Sequence, residues 1–184
     1  MKIKKFGVAA LLAIAVSAFT GTCFAIEESD LNIGGIYLGQ PIKEVVAKMG
    51  KPVSKEKLKD IDFGYTTKLA NKRYEYGFVK NGAKFTVIAD RNVKGVIVNK
   101  TAEAAGLATK AGISLGATGD DVLKAYGTPL WDVDRGGLID DSLSRIMRYR
   151  KRINGDEEQL LFRFDFDLNG KLVHMNYIQR SIGE

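Results

Sequence analysis

Arg148, Arg150 and Arg152 stand at alternate positions in a run where Met147, Tyr149 and Ile153 are apolar. If that run is a strand, the three guanidinium groups share one face of a sheet. Each can then grip a carboxylate or phosphate through two parallel hydrogen bonds. The more economical use of such a row is to pair with Glu157, Glu158, Asp165 or Asp167 on an adjacent strand and keep that face solvated. Trp131, the only tryptophan, follows Pro129-Leu130. Tryptophan and arginine are favoured interface anchors, whereas the plainer role for Trp131 is to cover the end of the preceding helix. Trp131, Arg148, Arg150 and Arg152 are the candidate binding residues.

Other residues of chemical interest lead to exclusions. Asp165-x-Asp167-x-Asn169-Gly170 imitates the opening of a calcium loop, but the twelfth position, which should be a bidentate Glu, is Asn176. Strict alternation on either side indicates a hairpin turn instead. His174 is the only histidine and has no second histidine or thiolate with which to build a common zinc site. Its alternation with Val173 and Met175 predicts a surface position on the sheet. No Gly-x-Ser-x-Gly elbow is present, and the carboxylates are scattered, so no nucleophile, base and orienting group can be named together. We expect no catalysis, no cofactor and no metal. A hydrolase would need a polar pocket built around His174 or around paired carboxylates.

The chain has 184 residues, 45% of them hydrophobic, enough for one or two small globular units. Its beginning reads as an export signal. Lys2, Lys4 and Lys5 precede an apolar run at 6–19, and Cys23-Phe24-Ala25 offers small residues where a signal peptidase cuts. Residues 1–25 are therefore expected to be removed. The alternative is lipidation at Cys23, although Thr20 stands where a lipobox usually has Leu. Membrane association depends on that alternative, and either fate implies an exported protein, periplasmic or extracellular, with association at the outer membrane as the further option. Cys23 is the only cysteine, so the mature chain has no disulfide and must hold together by packing. Of 28 basic side chains, three are in the leader, leaving 25 against 22 acidic ones. A formal charge of +3 is not a nucleic-acid signature, and any preference for anions has to come from local clustering.

The elements that must position these residues occur in two copies. Gly35-Ile36-Tyr37-Leu38-Gly39 leads to Gly50-Lys51-Pro52, and 77 residues later Gly112-Ile113-Ser114-Leu115-Gly116 leads to Gly127-Thr128-Pro129. The same offset aligns Phe85 with Phe162, Asp90 with Asp167, Asn92 with Asn169 and Lys94 with Lys171. We expect a first helix-plus-sheet unit at 26–106 and a second at 107–184. In the first, Ile42, Val45, Val46 and Met49 have helical spacing, with Pro41 at the start and Gly50 at the end. In the second, Thr118 and Asp121 form a capping box before Val122, Leu123 and Tyr126.

Period-two alternation follows each helix. Asn81-Gly82 between two alternating runs predicts a hairpin that sets Phe78 opposite Phe85, Tyr76 opposite Val87, and Arg73 opposite Asp90 as a water-facing ion pair. A turn near Lys94-Gly95 should lead to Val96 and Val98. Residues 53–71 are lysine-rich and weakly patterned, with a short strand expected at 61–65 and loop elsewhere. In the second unit Phe162, Phe164 and Phe166 should face the core, as should Val173, Met175 and Tyr177, while the loop at 154–159 leaves its hairpin register around Asn154 open. Residues 99–110 form a short bridge, which favours two units packed side by side. The fold class is α+β: two tandem repeats, each a short amphipathic helix on an antiparallel meander.

The segments Ile36-x-Leu38-Gly39 to Gly50-x-Pro52 and Ile113-x-Leu115-Gly116 to Gly127-x-Pro129 carry a resemblance. With the strands that follow, each resembles the small-protein-A and outer-membrane-lipoprotein-A (SmpA/OmlA, BamE-like) module. Their tandem arrangement is similar to the beta-lactamase-inhibitor-protein-like fold. The resemblance implies an envelope protein that binds another envelope or secreted protein as a scaffold or interaction module. The alternative it implies is an inhibitor of a secreted hydrolase, which should line a groove with exposed aromatics. No functional residue of either family carries over to a position in this chain.

Overall fold

The computed structural model describes residues 26–58, 73–134, 141–153 and 158–181. Their centre is an eight-stranded antiparallel sheet in the order β3-β4-β5-β6-β10-β9-β8-β7. Its first half comprises β3 (Ser54–Lys57), β4 (Tyr74–Lys80), β5 (Ala83–Ala89) and β6 (Val93–Asn99). The second comprises β7 (Trp131–Asp134), β8 (Leu143–Ile153), β9 (Glu158–Asp167) and β10 (Leu172–Ser181). Each half is a meander entered from a helix, α1 (Ile42–Met49) or α2 (Gly119–Tyr126). A separate two-stranded ribbon, β1 (Asn32–Ile33) with β2 (Ile36–Tyr37), precedes α1. The chain is thus α+β with a large antiparallel sheet and few helices.

Local chemistry accounts for the helices. Val45 is buried, with Ile42, Val46 and Met49 packed beside it, and Gly50 closes the helix at φ 87°, a conformation that side chains with a Cβ resist. In α2, Thr118 accepts a hydrogen bond from the Asp121 amide while the Asp121 carboxylate accepts one from the Thr118 amide (2.8 Å). The Asn81-Gly82 hairpin has the expected register, with Phe78 opposite Phe85 and Tyr76 opposite Val87.

Four details of the expected pattern are corrected. Arg73 does not form a water-facing pair with Asp90. It is buried and donates from Nη1 to the Gln179 carbonyl in β10 (2.7 Å), a partner that no local signal could name. The chain turns at Asp90–Asn92, where the Asn92 amide bonds the Asp90 side chain (2.8 Å), and at Lys94-Gly95 β6 continues, with only a register shift against β5 that skips Lys94. Ser54–Lys57 is a strand rather than loop, and Trp131–Asp134, for which no element is expected, is its counterpart; both are four-residue edge strands, too short to show alternation. A β-bulge between Leu172 and His174 gives the core position to Leu172 rather than Val173. The leader, the strand expected at 61–65 and residues 154–157 of the loop expected at 154–159 lie outside the described residues, whereas Glu158 and Gln159 already belong to β9 and pair with Ile153 and Arg152.

One cluster of buried side chains joins both halves, from Val45, Phe78 and Phe85 to Tyr126, Phe162, Phe164 and Tyr177. Tyr126 meets Phe162 edge to face at 5.3 Å and lies 5.6 Å from Phe164, so α2 sits on the inward side of β9. Ile88, Ile146 and Ile178 are buried too but stand outside this cluster, on the opposite face.

Candidate functional site

Alternation along β8 puts Met147 and Tyr149 in the core and sends Arg148, Arg150 and Arg152 to the outer face. Register then decides what they meet. Arg148 lies between Trp131 of β7 and Arg163 of β9, and the row continues through Asn176 of β10 to Ile97 of β6. Arg150 is opposite Leu161, and Arg152 is opposite Gln159. An open cavity of about 840 Å³ occupies this part of the face. Trp131, Arg148 and Arg150 line it, joined by Arg163, His174, Asn176 and Arg180, with Leu130, Leu161 and Ile97 as its apolar lining. Arg152 is not among the lining residues, so three of the four candidates come together and one does not.

The Arg148 guanidinium lies over the Trp131 ring at 4.2 Å from its centroid. Such stacking is worth about 0.5–1 kcal/mol at a partly exposed site and holds the fork in one orientation. Burial lowers the Arg148 pKa, and the neighbouring Arg163 charge lowers it further, against a smaller opposing pull from Asp165. Arg148 nevertheless remains a cation at neutral pH. The pairing with Glu158, Asp165 or Asp167 expected of a solvated face is absent for Arg148 and Arg150, which make no ion pair among the described residues; Glu157, the other expected partner, lies outside them.

Asp165 is buried and answers to two other groups. Arg163 donates from Nε to its Oδ1 (2.6 Å), and His174 Nδ1 donates to its Oδ2 (2.9 Å). Burial alone raises the Asp165 pKa; the hydrogen bonds from His174 and Arg163 outweigh it and hold the carboxyl below the usual range. His174 Nε2 faces the Asn176 amide nitrogen at 3.5 Å. His174 lies on the outer face as expected, but half-buried and anchored rather than alone. The bulge at Val173 produces this contact, because an uninterrupted register from Leu172↔Phe166 pairs His174 with Phe164 instead of Asp165. Sequence reasoning missed Arg163, Asn176 and Arg180. Alternation from the phenylalanine run already turns Arg163 outward, yet its neighbours depend on registers set across loops.

The arrangement suits recognition of an anion. Among the described residues none of the cavity lining is acidic, and Asp165 beneath it is already engaged. A histidine oriented by a carboxylate is half of an acid–base device, but the described lining supplies no Ser, Thr, Cys or Lys to serve as nucleophile. Asp167 accepts hydrogen bonds from the Asn169 and Lys171 amides (2.9 and 3.0 Å) at the β9–β10 turn, which uses its carboxylate structurally. Among the described residues no group of three or more His, Cys, Asp or Glu can hold a metal ion. No described helix is long and apolar enough to cross a membrane.

No protein-family model matches the chain, and no curated protein matches it. Among solved structures, a DUF4309 family protein (YjgB) from Bacillus subtilis is similar, at 10% identity, over 79% of this chain and 83% of that one. The TM-score is 0.39, and no functional conclusion rests on it.

Proposed function

We propose that this is an exported, non-catalytic protein-binding module of the bacterial cell envelope, built from two tandem helix-plus-sheet units, the second of which carries the binding groove. The support lies in paired contacts. The Gly39 amide bonds the Val93 carbonyl (2.9 Å) and the Gly116 amide bonds that of Leu172 (2.8 Å). Pro41 bridges Asn92, and Thr118 bridges Lys171. On this correspondence the ungapped 77-residue offset slips by two after the turn, so that Asn92 answers to Lys171 and Val93 to Leu172.

One comparison carries the functional reading. Across the outer face of the first half runs Ser54–Gly77–Thr86–Ile97; across the second runs Trp131–Arg148–Arg163–Asn176. Ser54, Thr86 and Ile97 correspond to Trp131, Arg163 and Asn176. A frame used twice needs the same core twice. What differs on its outer row is free to serve recognition, and there the second half has acquired an aromatic residue and two guanidinium groups. The tandem BamE-like resemblance agrees with a binding role.

The test is recovery of a partner from envelope extract by the mature chain, 26–184, at physiological salt. A partner held in stoichiometric amount is expected; recovery of nothing contradicts the proposal. An inhibitor of a secreted hydrolase is the second reading, favoured by Leu130 and Trp131 standing 62% and 39% exposed at the groove. It predicts that the captured partner loses activity in the complex.

A further inference from the structure

We propose that Arg148, Arg150 and Arg163 form a carboxylate-binding site, filled by an Asp or Glu side chain of an acidic peptide segment lying in the groove. The inference rests on the protein-binding reading above and assigns the chemistry of the partner.

Charge bookkeeping on this half of the sheet singles out the site. Arg145 clamps Asp132 through Nε and Nη2 (2.7 and 2.5 Å), Lys151 holds Glu27, and Arg163 holds Asp165. Arg148 and Arg150 have no such partner among the described residues, although both line the cavity. Arg148 is also directly across the strand boundary from Arg163, and like charges in that relation cost stability unless an anion lies between them. The positions are braced rather than floppy. Trp131 backs Arg148, while His174 and Asp165 secure Arg163, so neither fork has to be ordered at the moment of binding.

The cavity separates a peptide from a free ion. At about 840 Å³ it is far larger than one oxyanion needs, and Leu130, Leu161 and Ile97 give it apolar walls that a small ion cannot use. A peptide with acidic and apolar side chains uses both. A nucleic acid fits less well, since Trp131 is the only partly exposed aromatic residue in the described lining on which a base can stack.

The experiment is calorimetric titration of the mature chain with a blocked pentaglutamate peptide, and in parallel with blocked pentaglutamine, inorganic phosphate and oligothymidylate. Saturable binding of pentaglutamate is expected, with pentaglutamine and phosphate much weaker. Arg148→Gln and Arg150→Gln should each weaken it about tenfold, the scale of one charge-assisted hydrogen bond. Lys57→Gln, which removes a charge from the far edge strand, should leave it unchanged. Circular dichroism checks that each variant is folded. Equal binding by the Arg148 and Arg150 variants, an equal loss in Lys57→Gln, phosphate binding as tight as the peptide, tighter oligothymidylate binding, or no binding at all overturns the site. Capture of an envelope partner that survives both arginine substitutions keeps the binding reading and sinks the carboxylate site. Selective pentaglutamate binding with no captured partner does the reverse.

Discussion

Arg148 has Trp131 on one side, 4.2 Å from its guanidinium, and Arg163 directly across the strand boundary on the other. Stacking stabilises this placement and like-charge repulsion opposes it, with both effects below about 1 kcal/mol. Arg148→Gln is therefore expected to change unfolding free energy by less than about 0.5 kcal/mol, as for a surface substitution. Because Trp131 is the only tryptophan, its emission reports the change directly. Urea unfolding should be nearly superimposable on wild type, with a shifted native-state Trp131 spectrum.

Asp165 is the opposite case. It is buried beneath the groove, and Asp165→Asn leaves the Arg163 charge without its counterion and a single amide oxygen where two carboxylate oxygens accept from Arg163 and His174. The expected cost is about 2–4 kcal/mol at neutral pH. The pH dependence has a definite sign. Asp165 has a depressed pKa in the folded chain, so its stabilising contribution is present above the unfolded value of about 3.9 and is lost as pH falls through the folded value. The gap in stability between wild type and Asp165→Asn should narrow as pH falls below about pH 4.

Thr118→Ala removes the side-chain oxygen that caps α2 and should destabilise the chain by about 1 kcal/mol. Since α2 packs on the inward side of β9, groove binding by the folded variant should equal wild type. Thermal unfolding and peptide titration on the same samples check both halves of this expectation.

The junction between halves is tested at Gly95. A Cβ there meets the Tyr177 carbonyl oxygen at 2.8 Å and Ile178 Cγ1 at 3.3 Å, and the carbonyl is backbone that cannot swing aside. Gly95→Ala is expected to destabilise by about 1–3 kcal/mol, the usual range for overpacking. Because β6 and β10 are the only sheet strands joining the halves among the described residues, loss of a single cooperative transition is the sign to look for in denaturation curves.

Much of this was legible from short-range signals. The hairpin at Asn81-Gly82, the capping box at Thr118 and the outward row at 148–152 each depend on residues within a few positions of one another, and all are present. What escaped depends on distance along the chain. Arg73 finds its acceptor at Gln179, and a single extra residue at Val173 moves His174 opposite Asp165. The short edge strands Ser54–Lys57 and Trp131–Asp134 owe their form to pairing with neighbours rather than to their own patterning. The candidate site was half-visible for the same reason. Parity gave the face of Arg148 and Arg150, but only register brings Arg163, Asn176 and His174 beside them.

In the function proposed above, two halves share a frame and only the second binds. Val53 and Leu130 hold corresponding places just before β3 and β7, and each is 62% exposed. A photo-crosslinking residue placed at one or the other in the mature chain, then irradiated in envelope extract, compares the two halves at equal accessibility. A discrete partner adduct is expected from position 130 and none from position 53. Equal adducts from both positions, or an adduct from position 53 alone, would contradict it.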